Sequence, residues 1–162
     1  MSDRVNAIIT IGGRVPADRL EDLIVAIEED ALGPDWDVTF LTRDEVVAHL
    51  QDGAVGVSLY AREVASGELP SVQELCVEVG LSYVLTHGGY GCEWGPARRI
   101  RRPGDEGDGV TCSLDADWGA ACVTKGDILR LEFTDIQAVL AHLALFDDPH
   151  VPPLEIEGAG SS

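Results

Sequence analysis

Apolar residues recur along this chain at two different spacings, and each change of spacing predicts a change of element. The run NAIITI (6–11) is a short, mainly apolar run followed by Gly12 and Gly13, which predicts a strand and its turn. In the next stretch Leu20, Leu23, Ile24, Ile27 and Ala31 share one helical face. Pro16 stands near the first turn, and Gly33-Pro34 ends the pattern. VTF (38–40) predicts a short strand. Thr42 and Glu45 then have the form of a capping box ahead of Val46, Val47 and Leu50, with Gly53 closing that helix. Period two follows: Val55, Val57, Leu59 and Ala61 alternate with Gly56, Ser58, Tyr60 and Arg62, as in a half-buried strand. A second capping-box pattern, Ser71 with Glu74, opens a helix carrying Val72, Leu75, Cys76 and Val79 that stops at Gly80, and SYVLTH is the next strand.

Beyond a Gly-rich stretch at 87–109, with a short strand expected near 97–102, period two dominates. Val110, Cys112 and Leu114 form one alternation, ACVT a second segment, and Leu129, Leu131 and Phe133 a third, which together predict a three-stranded meander. Thr134 and Gln137 pattern as a capping box for a last helix with Ile136, Val139, Leu140 and Leu143 on one stripe, ending near Asp147-Asp148-Pro149. The Pro- and Gly-rich residues 151–162 read as a loose C-terminal tail. This order predicts an α+β two-layer sandwich, with a ferredoxin-like N-terminal core in residues 5–90, a C-terminal antiparallel meander and a final helix. With 162 residues, 45% of them hydrophobic, the chain can bury a real core. We read residues 1–150 as one α+β domain with sub-regions 5–90 and 91–148.

Charge narrows the possible partners. The net charge is −18, distributed as −7 over residues 1–50, −1 over 51–104 and −10 over 105–162. Such a surface repels nucleic acid and membranes and attracts basic protein surfaces, which are the expected partners. High-GC coding offers a non-functional origin, since ten of the eleven basic residues are Arg, and a salt-rich cytoplasm offers another. No apolar run approaches the ~20 residues of a membrane span, and the start MSDRVNAIITIGGRV lacks a signal peptide's hydrophobic region, so a cytoplasmic protein is expected. Cys76, Cys92, Cys112 and Cys122 form no C-x-x-C pair, and reduced thiols are the expectation.

The run YAREVASGELPSVQELCVEVGLSYV, with GGYG and ARRIRRPG after it, resembles a pattern in small acidic proteins of bacteriophages and plasmids. In that pattern a strand ends in Gly-Glu, a Leu-striped helix and a Gly-Leu-x-Tyr strand follow, and an Arg-Pro-Gly turn comes last. The matching positions are Gly67, Glu68, Leu75, Cys76, Gly80, Leu81, Tyr83, Arg102, Pro103 and Gly104. The chain departs from the pattern in placing arginines before that turn. The resemblance implies a mobile-element setting, where small acidic proteins block host nucleases or defence complexes, and it implies no reaction.

Several constellations could carry chemistry. His87 and Cys92, with Cys112 and Cys122, contain zinc-type donors, but at spacings unlike the close pairs of structural zinc sites. Cys92 with His87 as base has the parts of a thiol nucleophile, against which stands an inert, partly buried cysteine. Gly12, Gly13 and Arg14 could offer amides and charge to an anion, but they lack the P-loop and dinucleotide glycine patterns, and a tight strand-to-helix turn explains them better. Arg98, Arg99, Arg101 and Arg102 lie close to Tyr90 and Trp94, the ingredients of a phosphate or base contact, but acidic residues directly follow them, so they are expected to serve internal pairs or a partner. On the first helix Asp18, Glu21, Asp22, Glu28, Glu29 and Asp30 form an acidic face, which is either solvated or a contact surface imitating nucleic-acid phosphates. These features favour a non-enzymatic acidic protein-binding module without cofactor or metal, whose mobile-element form is an inhibitor occupying a nucleic-acid-binding surface of a host or defence protein. The alternatives are a small cysteine-dependent enzyme or a ligand-binding domain using the 87–102 loop.

Overall fold

The computed structural model describes residues 4–52, 56–90, 94–102, 105, 107, 109–115, 120–146 and 151–158. In chain order these form β1 (Arg4–Val15), a 3₁₀ turn (Ala17–Arg19), α1 (Leu20–Glu29), α2 (Arg43–Gln51), β2 (Val57–Ala65), α3 (Pro70–Val79), β3 (Ser82–His87), β4 (Ala97–Arg101), β5 (Val110–Leu114), β6 (Ala121–Cys122), α4 (Lys125–Leu131), α5 (Ile136–Ala144) and β7 (Leu154–Ile156). The fold is α+β. Its sheet runs β2-β1-β3-β4-β5-β6 with every neighbouring pair antiparallel, and β7 adds to β1 in parallel. No helix among the described residues is long and apolar enough to cross a membrane.

The strand register sorts the side chains by face. Ile9 lies opposite both Leu59 and Leu85, and Ile11 opposite both Val57 and Tyr83, so these residues share one face. Leu23, Ile24 and Ile27 of α1, Val46 and Leu50 of α2, and Val72, Leu75 and Cys76 of α3 pack on that face in the main core. Each large aliphatic side chain buried this way contributes about 1.5–3 kcal/mol of transfer free energy. The opposite face bears Val84, Ile100, Cys112 and Leu114, and Phe146 closes over them as a second, smaller cluster.

The structure differs from the sequence reading in several places. Residues 38–40 form no strand; an isolated bridge between Asp35 and Val38 is all that pairs there. The third meander strand expected at Leu129, Leu131 and Phe133 is instead helix α4 and the residues after it. A run this short satisfies both periods, and the cap decides: Thr124 Oγ1 accepts from the Asp127 amide while Asp127 accepts from the Thr124 amide. The tail is not loose through 151–158, because Val151 and Leu154 are buried and β7 pairs with β1. Residues 5–90 supply three strands, with β1 between β2 and β3. Since β1 is antiparallel to both, β2 and β3, joined through α3, run parallel to each other on either side of it.

Gly12 and Gly13 do not end the first strand, which continues to Val15. A Cβ on Gly12 would lie 1.8 Å from the Pro152 carbonyl oxygen, so glycine is what lets the C-terminal segment cross β1. The Gly13 amide donates to the Pro153 carbonyl at 3.1 Å, so it does not serve as an anion donor. Arg14 is spent on Glu155 and Glu157 of the same segment.

Candidate functional site

Helices α1 and α3 lie side by side on the main-core face, and their polar ends fix them antiparallel. At one end the Asp30 carboxylate, just past α1, accepts from the amides of Val72 at 2.8 Å and Ser71 at 3.4 Å, and so caps α3. Burial raises the Asp30 pKa, and these amide bonds only partly offset that. At the other end Arg19, just before α1, donates to Asp22 and to Glu78 near the end of α3, each at 2.8 Å. These two hydrogen bonds raise the Arg19 pKa further and keep it charged.

Between those ends runs an open groove of about 310 Å³. Helical rise over Asp22–Glu29 and Ser71–Glu78 makes it roughly 10 Å long. Its floor is apolar, formed by Val25, Ala26 and Leu75, and its walls are the carboxylates of Asp22, Glu29, Glu74 and Glu78. Helical spacing builds the wall. When Leu23, Ile24 and Ile27 point into the core, Asp22, Val25 and Glu29 line up outward, and Val72, Leu75 and Cys76 inward set Glu74 and Glu78 outward. Val25 is 48% exposed, an apolar side chain left open between acidic neighbours. Among the described residues Glu29 and Glu74 enter no ion pair. The groove therefore has three more negative than positive charges, and its apolar floor lowers the screening available to them.

The six acidic residues expected on the first helix divide into different uses. Asp30 is a cap, Glu21 pairs with Arg43 of α2, and Asp22 pairs with Arg19. Asp18, Glu28 and Glu29 are exposed. The α3 half of the wall, Glu74 and Glu78, was not picked out from the sequence. The signal was present as two glutamates four apart on the outward side of the predicted Val72-Leu75-Cys76-Val79 helix. Their nearness to α1 is a tertiary fact that no local spacing gives.

The arginine group is not one patch. β4 alternates, so Arg98 and Arg99 project to opposite faces: Arg98 donates to Thr86 at 3.3 Å, and Arg99 donates to Thr111 and pairs with Glu68 at 3.3 Å. Arg101 is 6% exposed and donates to the carbonyls of Leu81, Gly107 and Asp105, which makes it a structural clasp. Arg102 donates to the Leu145 carbonyl, and its amide bonds Asp105. Tyr90 and Trp94 do meet, with ring centroids 6.0 Å apart and a backbone hydrogen bond of 2.8 Å.

His87 packs edge-on against Trp94 and over Gly67, where a Cβ would come within 2.4 Å of its ring, and its Nδ1 lies 2.8 Å from the Gly88 carbonyl. Cys92 lies outside the described residues, as do Pro103, Gly104, Glu106 and Asp108. Burial pushes the Cys76 thiol up to about 12 and the Cys112 thiol up to about 11, and it raises Cys122 as well, so none of these three is a thiolate at neutral pH. Among the described residues no group of three or more histidine, cysteine or carboxylate side chains is placed to hold a metal ion. No family model, curated protein or solved structure matches this chain.

Proposed function

We propose that the protein is a non-enzymatic binding module whose α1/α3 groove receives a basic segment of a partner protein. The observation that carries this reading is Arg19. A guanidinium already sits between the facing carboxylates of α1 and α3, at 2.8 Å from each, at one end of the groove. Further along, Glu29 and Glu74 repeat the facing-carboxylate arrangement without a resident cation, beside exposed Val25. A short helix or extended segment carrying Arg or Lys beside an apolar side chain supplies what is missing: charge-assisted hydrogen bonds to the walls and cover for the floor. If the partner's basic segment is its nucleic-acid-binding surface, occupancy excludes nucleic acid. That is the inhibitor form of the reading, and the phage- and plasmid-like Gly67–Gly104 pattern favours it.

The test is a fluorescence-anisotropy titration with a labelled helical peptide bearing Arg and Lys around a Leu stripe. Glu74→Lys with Glu78→Lys is expected to weaken binding at least about tenfold, equivalent to 1.4 kcal/mol or more. Glu155→Lys with Glu157→Lys changes net charge equally on β7 and the residue after it, outside the groove lining, and is expected to cost less than about threefold, the effect of the overall field without groove contacts. Equal losses in the two pairs would show that binding follows net charge and not the groove.

A further inference from the structure

Glu21 and Glu28 lie on one side of α1, two turns apart. Glu21 meets a cation there: Arg43, at the start of α2, donates to its carboxylate with Nε at 3.3 Å and with a terminal nitrogen as well. Glu28 enters no ion pair among the described residues. Between α1 and α2 opens a cavity of about 300 Å³ whose charged lining residues are Glu28 and Arg43. Its apolar lining comes from three parts of the chain. Ile27 of α1, Leu32 just beyond it and Val46 of α2 are buried core residues. Phe40 and Leu41, from the connecting segment, are partly buried and 82% exposed respectively, so that side of the cavity is apolar and open to water. The Thr42 hydroxyl is spent on the Glu45 amide as the cap of α2.

We infer that this cavity binds a small organic cation, an amine or guanidine carried on a compact apolar body. Its volume is that of the smallest ligand pockets, room for one such body and not for a folded segment. Charge sets the sign of the ligand. The Arg43 charge is matched by Glu21, which leaves the Glu28 carboxylate as the uncompensated charge of the lining. In a chain of net charge −18 an anionic ligand is repelled here and a cationic one attracted. The lining sets the rest. A cation at Glu28 repeats the Arg43–Glu21 pair two turns along α1, and an apolar body beside it meets Ile27, Leu32, Val46 and Phe40 while covering Leu41. A bare metal ion or ammonium has nothing to offer the apolar lining, and a neutral hydrocarbon leaves Glu28 unmatched. The α1/α3 groove shares no lining residue with this cavity, so the inference does not rest on the groove reading.

Titration of the ¹⁵N-labelled full chain with phenethylammonium chloride at neutral pH, where the amine is charged as a lysine is, tests it. Saturable amide shifts centred on residues 27–32 and 39–46 are expected, with a half-point below about 10 mM, the order that so few ligand atoms supply. 2-Phenylethanol, the same body without the charge, is expected to bind at least about tenfold more weakly. Glu28→Gln is expected to weaken the amine by a similar factor with an unchanged circular-dichroism spectrum, because the side chain is exposed. Leu41→Ala is expected to weaken it about threefold through the apolar half of the contact. Glu29→Gln, on the groove side of the same helix, and the Glu74→Lys, Glu78→Lys pair are each expected to change the half-point less than about twofold, the effect of the overall field. The inference fails if the shifts do not saturate, if amine and alcohol bind alike, or if Glu28→Gln costs no more than Glu29→Gln. Displacement of the bound amine by the Arg/Lys helical peptide would also overturn it, because Glu28 would then belong to a protein-binding surface.

Discussion

Single atoms decide several features here. Gly12→Ala is expected to push the Pro152 carbonyl off β1 and destabilise the fold by about 1–3 kcal/mol, as overpacking does. Limited proteolysis would then cut the 151–158 segment faster than in the wild type, and an unchanged cleavage rate would mean that the crossing is not what Gly12 serves. Asp127 links stability to pH. Burial pushes its pKa up, but the Thr124 amide, the Ser113 hydroxyl, Arg130 and the Thr124 hydroxyl together hold it below the ordinary value. A carboxylate depressed in the fold contributes stability above its unfolded pKa and loses it as pH falls through the folded one. Asp127→Asn is therefore expected to cost about 1 kcal/mol at neutral pH, with the deficit closing as urea midpoints are compared down through the carboxylate range. A deficit constant with pH would contradict the charge assignment. The glycine pair was visible in the sequence, but its partners Pro152 and Pro153 are 140 residues away, beyond any local pattern; Asp127 has Thr124 and Arg130 three residues away and only Ser113, 14 residues away, at longer range.

At the scale of elements, helix stripes and alternating strands were readable where the core chose between faces. α1, β2, α3, β3 and β5 fall where period and punctuation put them. The caps were less so. Thr42 does cap α2. For α3, however, the Ser71–Glu74 pattern gives way to Asp30 from the neighbouring helix and to Pro70 at the first turn, and α5 is capped by Asp135, not Thr134. The box that does form, Thr124 with Asp127, stands in a segment whose alternating leucines suggested a strand, and T-x-x-D was the signal that outweighs them. The α3 cap is testable. Asp30→Ala is expected to lower stability by about 1 kcal/mol, whereas Asp30→Asn, which keeps an acceptor and removes a charge that burial disfavours, is expected to stay within about 0.5 kcal/mol at neutral pH. Thermal or urea unfolding of the two variants separates them, and equal losses would mean that the carboxylate acts by charge alone.

For the whole molecule, the charge sum was legible and its layout was not. A net charge of −18 says that basic partners are attracted, but only the antiparallel pairing of α1 with α3 makes a groove of it, with Arg19 as its one resident cation. The β4 arginines and Arg102 are separately tied to the protein's own oxygens, which weakens the rival basic patch. Groove binding is expected to weaken as salt screens the attraction between its carboxylates and a basic segment.

The most direct measurement is a ¹⁵N-correlated NMR titration of the full chain with the Arg/Lys helical peptide at about 0.05 and 0.5 M salt, concentrations that span a threefold change in Debye length. Saturable shifts centred on Asp22, Val25, Glu29, Glu74 and Glu78, and lost at the higher salt, are the expected result. Shifts confined to Arg98–Arg102 and their neighbours, or spread evenly over every acidic surface with the groove no different from the rest, would contradict the account.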